Sequence, residues 1–269
     1  MSRAISADPV SESFAERYRG FSPKLGLRWD WRPELQVYAN LSRSFEPTSF
    51  GELTGGLRPT INEAQRATIL ELGSRGRMAQ LEWDVSLFEA HLHDELLQIA
   101  TNTAGANVTV NAARSVHRGL ELGLSGKALA SEAGRLEWRL QGLWNDFHLK
   151  GDPSYGSRRL PGVPRHAARA QLGWRFEGGS LLALHAEGAG GYPIDFANSF
   201  RAPGYAVWGL KASGEFQPGL GWFVDGRNLA DRRYVATTGV VRDARGRDTA
   251  QFLPGDGRSV YAGIDWKFN

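Results

Sequence analysis

No cysteine occurs in the 269 residues, so neither a disulfide framework nor a thiolate metal site is possible. No apolar run approaches twenty residues either, which excludes a transmembrane helix. Methionine occurs only twice, so flexible core fillers are few. Lysine is scarce, with 5 against 27 arginines. That positive charge is spread along the whole chain and forms no stripe of the kind that grips nucleic acid. Residues 1–20 lack the apolar centre of a secretory signal peptide. The expectation is therefore a chain that is cytosolic or that lacks its true beginning. None of these absences excludes a membrane protein made of strands, whose apolarity hides in alternation.

Alternation is what the chain does have. In the last stretch, Val260, Ala262, Ile264, Trp266 and Phe268 alternate with Tyr261, Gly263, Asp265 and Lys267. A period of two gives a strand with one apolar and one polar face. The same pattern places Leu25, Leu27, Trp29 and Trp31 on one face, then Leu35, Val37, Ala39 and Leu41. Strand character returns near Ala67–Gly73, turns at Ser74–Arg77, and resumes with Leu81, Trp83, Val85 and Leu87. Further runs are Leu120–Leu124, Leu136–Trp144, Ala168–Phe176, Leu182–Ala186, Ala206–Phe216 and Leu220–Val224. Between them lie long polar connections at 45–63, 92–115, 146–165, 188–203 and 228–257, alternating with short turns such as Gly178-Gly179 and Pro218-Gly219.

The expected fold is thus all-β: about eleven antiparallel strands with short turns at one end and long loops at the other, the habit of outer-membrane barrels. All nine tryptophans fall on the apolar parity of their strands. Trp29, Trp31, Trp83, Trp138, Trp174, Trp222 and Trp266, with Phe268, cluster toward the short-turn or chain-terminal end, whereas Trp144 and Trp208 lie toward the long loops. Indole prefers the membrane–water interface, so these residues are expected to form an aromatic girdle. A soluble sandwich would bury its tryptophans mid-strand.

Several stretches resemble the C-terminal half of a TonB-dependent outer-membrane receptor. Gly226-Arg-Asn-Leu-Ala-Asp-Arg-Arg-Tyr234 is similar to the signature of that family's penultimate strand, and Gly257-Arg-Ser to Phe268 is similar to its closing strand. Phe21–Leu27, Tyr38–Pro47 and Val116–Leu122 resemble recurrent strands from the middle of such barrels. Asn269 after Phe268 departs from the family's aromatic terminus. Nothing resembles the plug domain or the first strands. The resemblance implies an antiparallel transmembrane β-barrel segment of about 11 of an expected 22 strands. Residues 21–269 would be barrel wall, and residues 1–20 a loop or partial strand at a truncated N-terminus. It implies uptake of an iron chelate, of the ferric-siderophore type, with cobalamin and haem as other ligands. Its implied setting is the outer membrane of a Gram-negative cell. Its implied partners are the ligand, the TonB complex acting through the plug, and the outer-membrane lipids and lipopolysaccharide. No cofactor, nucleic acid or enzymatic activity is implied. Apart from the resemblance, a small self-contained barrel acting as a pore or a lipid-active enzyme is the alternative.

Parity places Arg139, Arg169, Arg175, Asp225 and Arg227, with Glu137, on the polar face, where a barrel tolerates charge. Arg242, Arg245 and Arg247 crowd the last long loop, and Tyr192 lies in the loop before it. These four are the candidate ligand-binding residues, the arginines suited to an anionic chelate or a lipopolysaccharide phosphate. His91-Leu-His-Asp-Glu95 gathers ligand-type side chains. A solvated strand extension explains it better than a metal site, so no metal is assigned. Six histidines assemble no catalytic triad with a serine and an acid, so no catalytic residue is assigned.

Overall fold

The computed structural model of the chain describes residues 17–54, 61–100, 107–247 and 252–267. In chain order it contains β1 (Lys24–Arg32), β2 (Leu35–Glu46), α1 (Phe50–Thr54), β3 (Gln65–Met78), β4 (Leu81–Ala100), β5 (Asn107–Ser131), β6 (Gly134–Leu149) and β7 (His166–Phe176). There follow β8 (Leu181–Ala189), β9 (Tyr192–Pro193), β10 (Arg201–Ala202), β11 (Tyr205–Gln217), β12 (Leu220–Arg227), β13 (Val235–Thr238), β14 (Phe252–Pro254) and β15 (Ser259–Trp266). Eleven of these strands make one antiparallel sheet in the order β1-β2-β3-β4-β5-β6-β7-β8-β11-β12-β15. Each strand lies beside its chain neighbour in the sheet, the meander that short turns enforce. The small pairs β9–β10 and β13–β14 lie within the two last long loops.

Register joins the alternating residues into one continuous face. Leu27, Ala39, Leu72, Leu87, Leu120 and Trp144 stand opposite one another from β1 to β6. Leu81, Gly126, Trp138, Leu172, Leu184, Leu210, Gly226 and Val260 do the same from β4 to β15. This second line starts at the short-turn end of β4 and finishes at the long-loop end of β12. The strands are therefore staggered, as a tilted barrel wall requires. Leu25, Leu27, Trp29, Leu87, Leu184, Leu210 and Ile264 are 44–71% exposed, so no other layer covers this face among the described residues. On β6 it runs from Leu136 to Trp144. Eight residue steps cover about 27 Å along a strand. At a tilt near 40° that is about 20 Å of height, close to the apolar band of a membrane barrel.

The structure corrects four boundaries. The turn expected at Ser74–Arg77 is strand, and β3 turns instead at Ala79-Gln80. Gly76 leaves room for its neighbours rather than making a turn: a Cβ there would lie 2.3 Å from the Glu34 carbonyl oxygen and 2.6 Å from the Trp83 indole. The segment 92–115, read as a loop, is mostly the long hairpin of β4 and β5, paired from Leu81↔Gly126 to Ala100↔Asn107. Alternation fades there because the outward parity turns polar at Glu89, His91 and His93, and the irregularity at Asp94 (φ 56°) then shifts the parity of the residues beyond. The strand β6 likewise continues to Leu149, and the connection after β2 carries α1. Residues 55–60, Phe268 and Asn269 lie outside the described residues, as does most of 1–20.

Candidate functional site

The polar face of β6, β7, β8, β11 and β12 forms a concavity of about 520 Å³. Arg139, Arg169, His185, Lys211, Asp225 and Arg227 line it. Alternation supplies these side chains: each of the first five sits one residue from a leucine, alanine or valine of the apolar parity, and Arg227 follows Gly226 on it. Asp225 is the hub: His185 Nε2 lies 3.0 Å from its Oδ1, and Arg227 Nε donates to its Oδ2 at 2.8 Å. Gly209, opposite His185 in register, leaves the imidazole its space, since a Cβ there would meet the ring at 2.5 Å. Arg227 also lies over the Tyr261 ring at 4.6 Å. Arg169 pairs with Glu187 at 3.1 Å. Nearer the short turns, both oxygens of Glu137 accept from Arg175 Nε at 3.0 Å, and Arg135 joins at 2.8 Å. Arg139 and Lys211 form no ion pair among the described residues, so this face keeps two cations available.

The long-loop end is packed more tightly than a set of solvated loops. Asp195 is fully buried and accepts from Ser199 N at 2.9 Å, Ser199 Oγ at 2.7 Å, Phe200 N at 3.2 Å and Ala244 N at 3.1 Å. It thereby ties the loop after β8 to the loop after β12. Gly162 N donates to Pro193 O at 2.8 Å and Ala100 N to Val240 O at 2.7 Å, adding the loop after β6 and the tip of β4. Two apolar clusters lie beneath: Ile99, Ala112, Leu149, Leu160 and Phe196, and Tyr192, Ile194, Ala202 and Ala244. Burial pushes the Arg159 guanidinium below its ordinary range, with Arg165 adding repulsion. Burial, then Glu187 and Asp256, raises the Tyr234 phenol.

The candidate residues therefore occupy two different settings. Arg139, Arg169, Asp225 and Arg227 converge on the concavity, and Arg175 stands apart with Glu137. Arg242, Arg245 and Arg247 are exposed on the loop platform, whereas Tyr192 is 7% exposed and packs inside it. Trp29, Trp31 and Trp266 are exposed, and Trp83, Trp138, Trp174 and Trp222 are half-buried on the same face. Trp29 and Trp31 stack at 5.3 Å. Exposed His91 meets Glu89 at 2.7 Å. Sequence alone missed Asp195, one acidic residue in a loop. Glu95, read in the His91–Glu95 run as part of a solvated strand extension, is instead buried beside Asp94 (φ 56°) and meets Ser115 and His117. The carboxylate of Glu95 sits between that serine and that histidine, which is not the serine–histidine–acid order of a hydrolase relay.

The geometry has counterparts among known proteins. The family model "TonB dependent receptor-like, beta-barrel" matches residues 3–229. The metal-pseudopaline receptor CntO of Pseudomonas aeruginosa is 25% identical over 231 residues, covering 82% of this chain and 31% of the receptor. The chain thus spans about a third of that relative's length. The ferric yersiniabactin uptake receptor FyuA from Yersinia pestis superposes with a TM-score of 0.69 at 21% identity, over 91% of this chain and 37% of that one. The ferric citrate transporter FecA gives 0.72 at 18% identity over 92% and 38%, and the copper transporter OprC 0.71 at 19% over 92% and 39%. These superpositions establish the same fold.

Proposed function

The chain belongs to the family of TonB-dependent receptor-like β-barrels, and from that premise we propose that it forms wall and loops of an outer-membrane receptor importing a metal chelate. One observation carries the reading. The apolar residues of eleven strands form a single face that no other described residue covers, and along that apolar band charge is held on the opposite face. Such a sheet is stable with lipid on one side and a polar lumen on the other. In this reading the tryptophans form the girdle, and the concavity around Asp225 lines the lumen. The loop platform forms the outward vestibule, and import draws its energy from the TonB complex. The exposed Arg242, Arg245 and Arg247 favour an anionic chelate, and a ferric siderophore fits that charge.

The test is growth. A strain deleted for the gene is grown on a panel of ferric and other metal chelates, with and without complementation. Loss of growth on one anionic chelate, restored by the gene and reduced at limiting ligand by exchange of the three arginines for glutamine, is expected. Growth on every chelate without the gene contradicts the reading.

A further inference from the structure

A second basic concavity, of about 450 Å³, lies on the other side of the sheet. Arg19, Phe21, Arg43, Phe45, Arg66 and His93 line it. Register settles which face this is. Arg43 stands opposite Thr68, Phe45 opposite Arg66, and Arg66 opposite His93. All of them share the parity of Leu41, Leu70 and Leu87, so they lie on the apolar face, just above its last leucines. Arg43 is two residues beyond Leu41 on β2, about 7 Å along the strand. Leu41 and Leu70 directly below are 50% and 47% exposed. The lining carries three guanidinium groups and one imidazole against a single carboxylate, that of Asp94. Asp94 meets Arg66 only at 3.7 Å, with Arg66 58% exposed, so it neutralises little. Arg19 and Arg43 form no ion pair among the described residues.

Clustered arginines at the upper edge of an apolar band need an anion that arrives from the lipid side. A carboxylate carries one charge, whereas a phosphate monoester carries nearly two and takes forked bonds from more than one guanidinium. We propose that this concavity binds the phosphate headgroup of a membrane amphiphile. Its acyl chains would run down over Leu41, Leu70 and Leu72, with Phe21 and Phe45 at the interface. The proposal rests on the membrane reading above. It assigns lipid recognition to the outside of the β1–β4 wall, away from the vestibule and the lumen.

The protein is recovered in detergent and titrated with short-chain phosphatidic acid, phosphatidylcholine of the same chain length, and inorganic phosphate. Phosphatidic acid is expected to bind about tenfold more tightly than phosphatidylcholine, because its monoester phosphate carries nearly two charges where the diester carries one beside a trimethylammonium. The Arg43→Gln/Arg66→Gln double variant should lose that preference, Arg66→Lys should keep part of it, and Arg28→Gln on the polar face should change nothing. Both exchanged side chains are exposed, so the variants fold, and heat-modifiable migration checks this. Equal binding of the two lipids, or an unaffected double variant, overturns the site. Displacement of the lipid by inorganic phosphate at matching affinity also overturns it, in favour of a soluble anion. A protein that is monodisperse without detergent instead defeats the membrane reading itself, so the two failures are told apart.

Discussion

Leu184 and Leu210 face each other across β8 and β11, 45% and 44% exposed near the middle of their strands. Replacing either with arginine puts a charge where lipid is expected, and costs about 2–4 kcal/mol of barrel stability. The same change at Gln171 or Ser213, on the opposite face, costs much less. Urea titration of the reconstituted protein measures both, and equal losses would show the faces to be reversed. Asn228 supports a second prediction. Its side-chain amide donates to Arg232 O at 2.9 Å and Asp256 O at 3.0 Å, and its carbonyl oxygen accepts from Arg232 N at 2.9 Å. With φ at 46° it turns the chain out of β12 and pins the return toward β15. The Asn-Leu signature is therefore a structural corner, and Asn228→Ala should cost about 2 kcal/mol in the same titration. A loss below a few tenths would contradict that role.

At the scale of elements, the strands inside the apolar band were legible because a sheet with one apolar and one polar face imposes a period of two. Leu136 to Gln141 shows it without a break, and Leu143 is the one apolar residue on the polar parity before Trp144. Legibility ended where that asymmetry ends. Along Glu89, His91 and His93 the outward parity turns polar, so β4 and β5 read as loop although their pairing continues. The turn at Ala79-Gln80 carried no glycine, and the nearby Gly76 makes room for the Glu34 carbonyl and Trp83 instead. The polar concavity was half legible: parity gave Arg139, Arg169, Asp225 and Arg227, but their convergence with His185 needed the register. The loop platform was illegible, because Asp195 acts through partners up to 49 residues away. Asp195→Ala would strand several buried donors, each costing about 1–3 kcal/mol. Limited proteolysis should then cleave within 190–204 and 228–258 while the strands stay intact. Unchanged cleavage would show that the loops hold without it.

Across the whole molecule, the sheet has two sides suited to different solvents and two edges. Each of β1 and β15 has one hydrogen-bonded neighbour among the described residues. In a bilayer every unpaired N–H and C=O costs several kcal/mol, so those edges call for further strands. In water they and the apolar face promote association. The 269-residue chain expressed alone is therefore expected to aggregate, with recovery only in detergent, and sedimentation without detergent checks this. A monodisperse water-soluble product would contradict it.

The central claim is that the apolar face meets lipid and the polar face meets water, strand by strand. The chain has no cysteine, so single cysteines carrying a spin label can be placed one at a time along β6, from Leu136 to Trp144, in the membrane-embedded protein. Accessibility to oxygen, which concentrates in lipid, is measured against accessibility to a water-soluble nickel chelate. The account predicts oxygen maxima at Leu136, Trp138, Leu140, Gly142 and Trp144, with nickel maxima at Glu137, Arg139, Gln141 and Leu143. Two profiles that rise and fall together, or that lack the period of two, would contradict it.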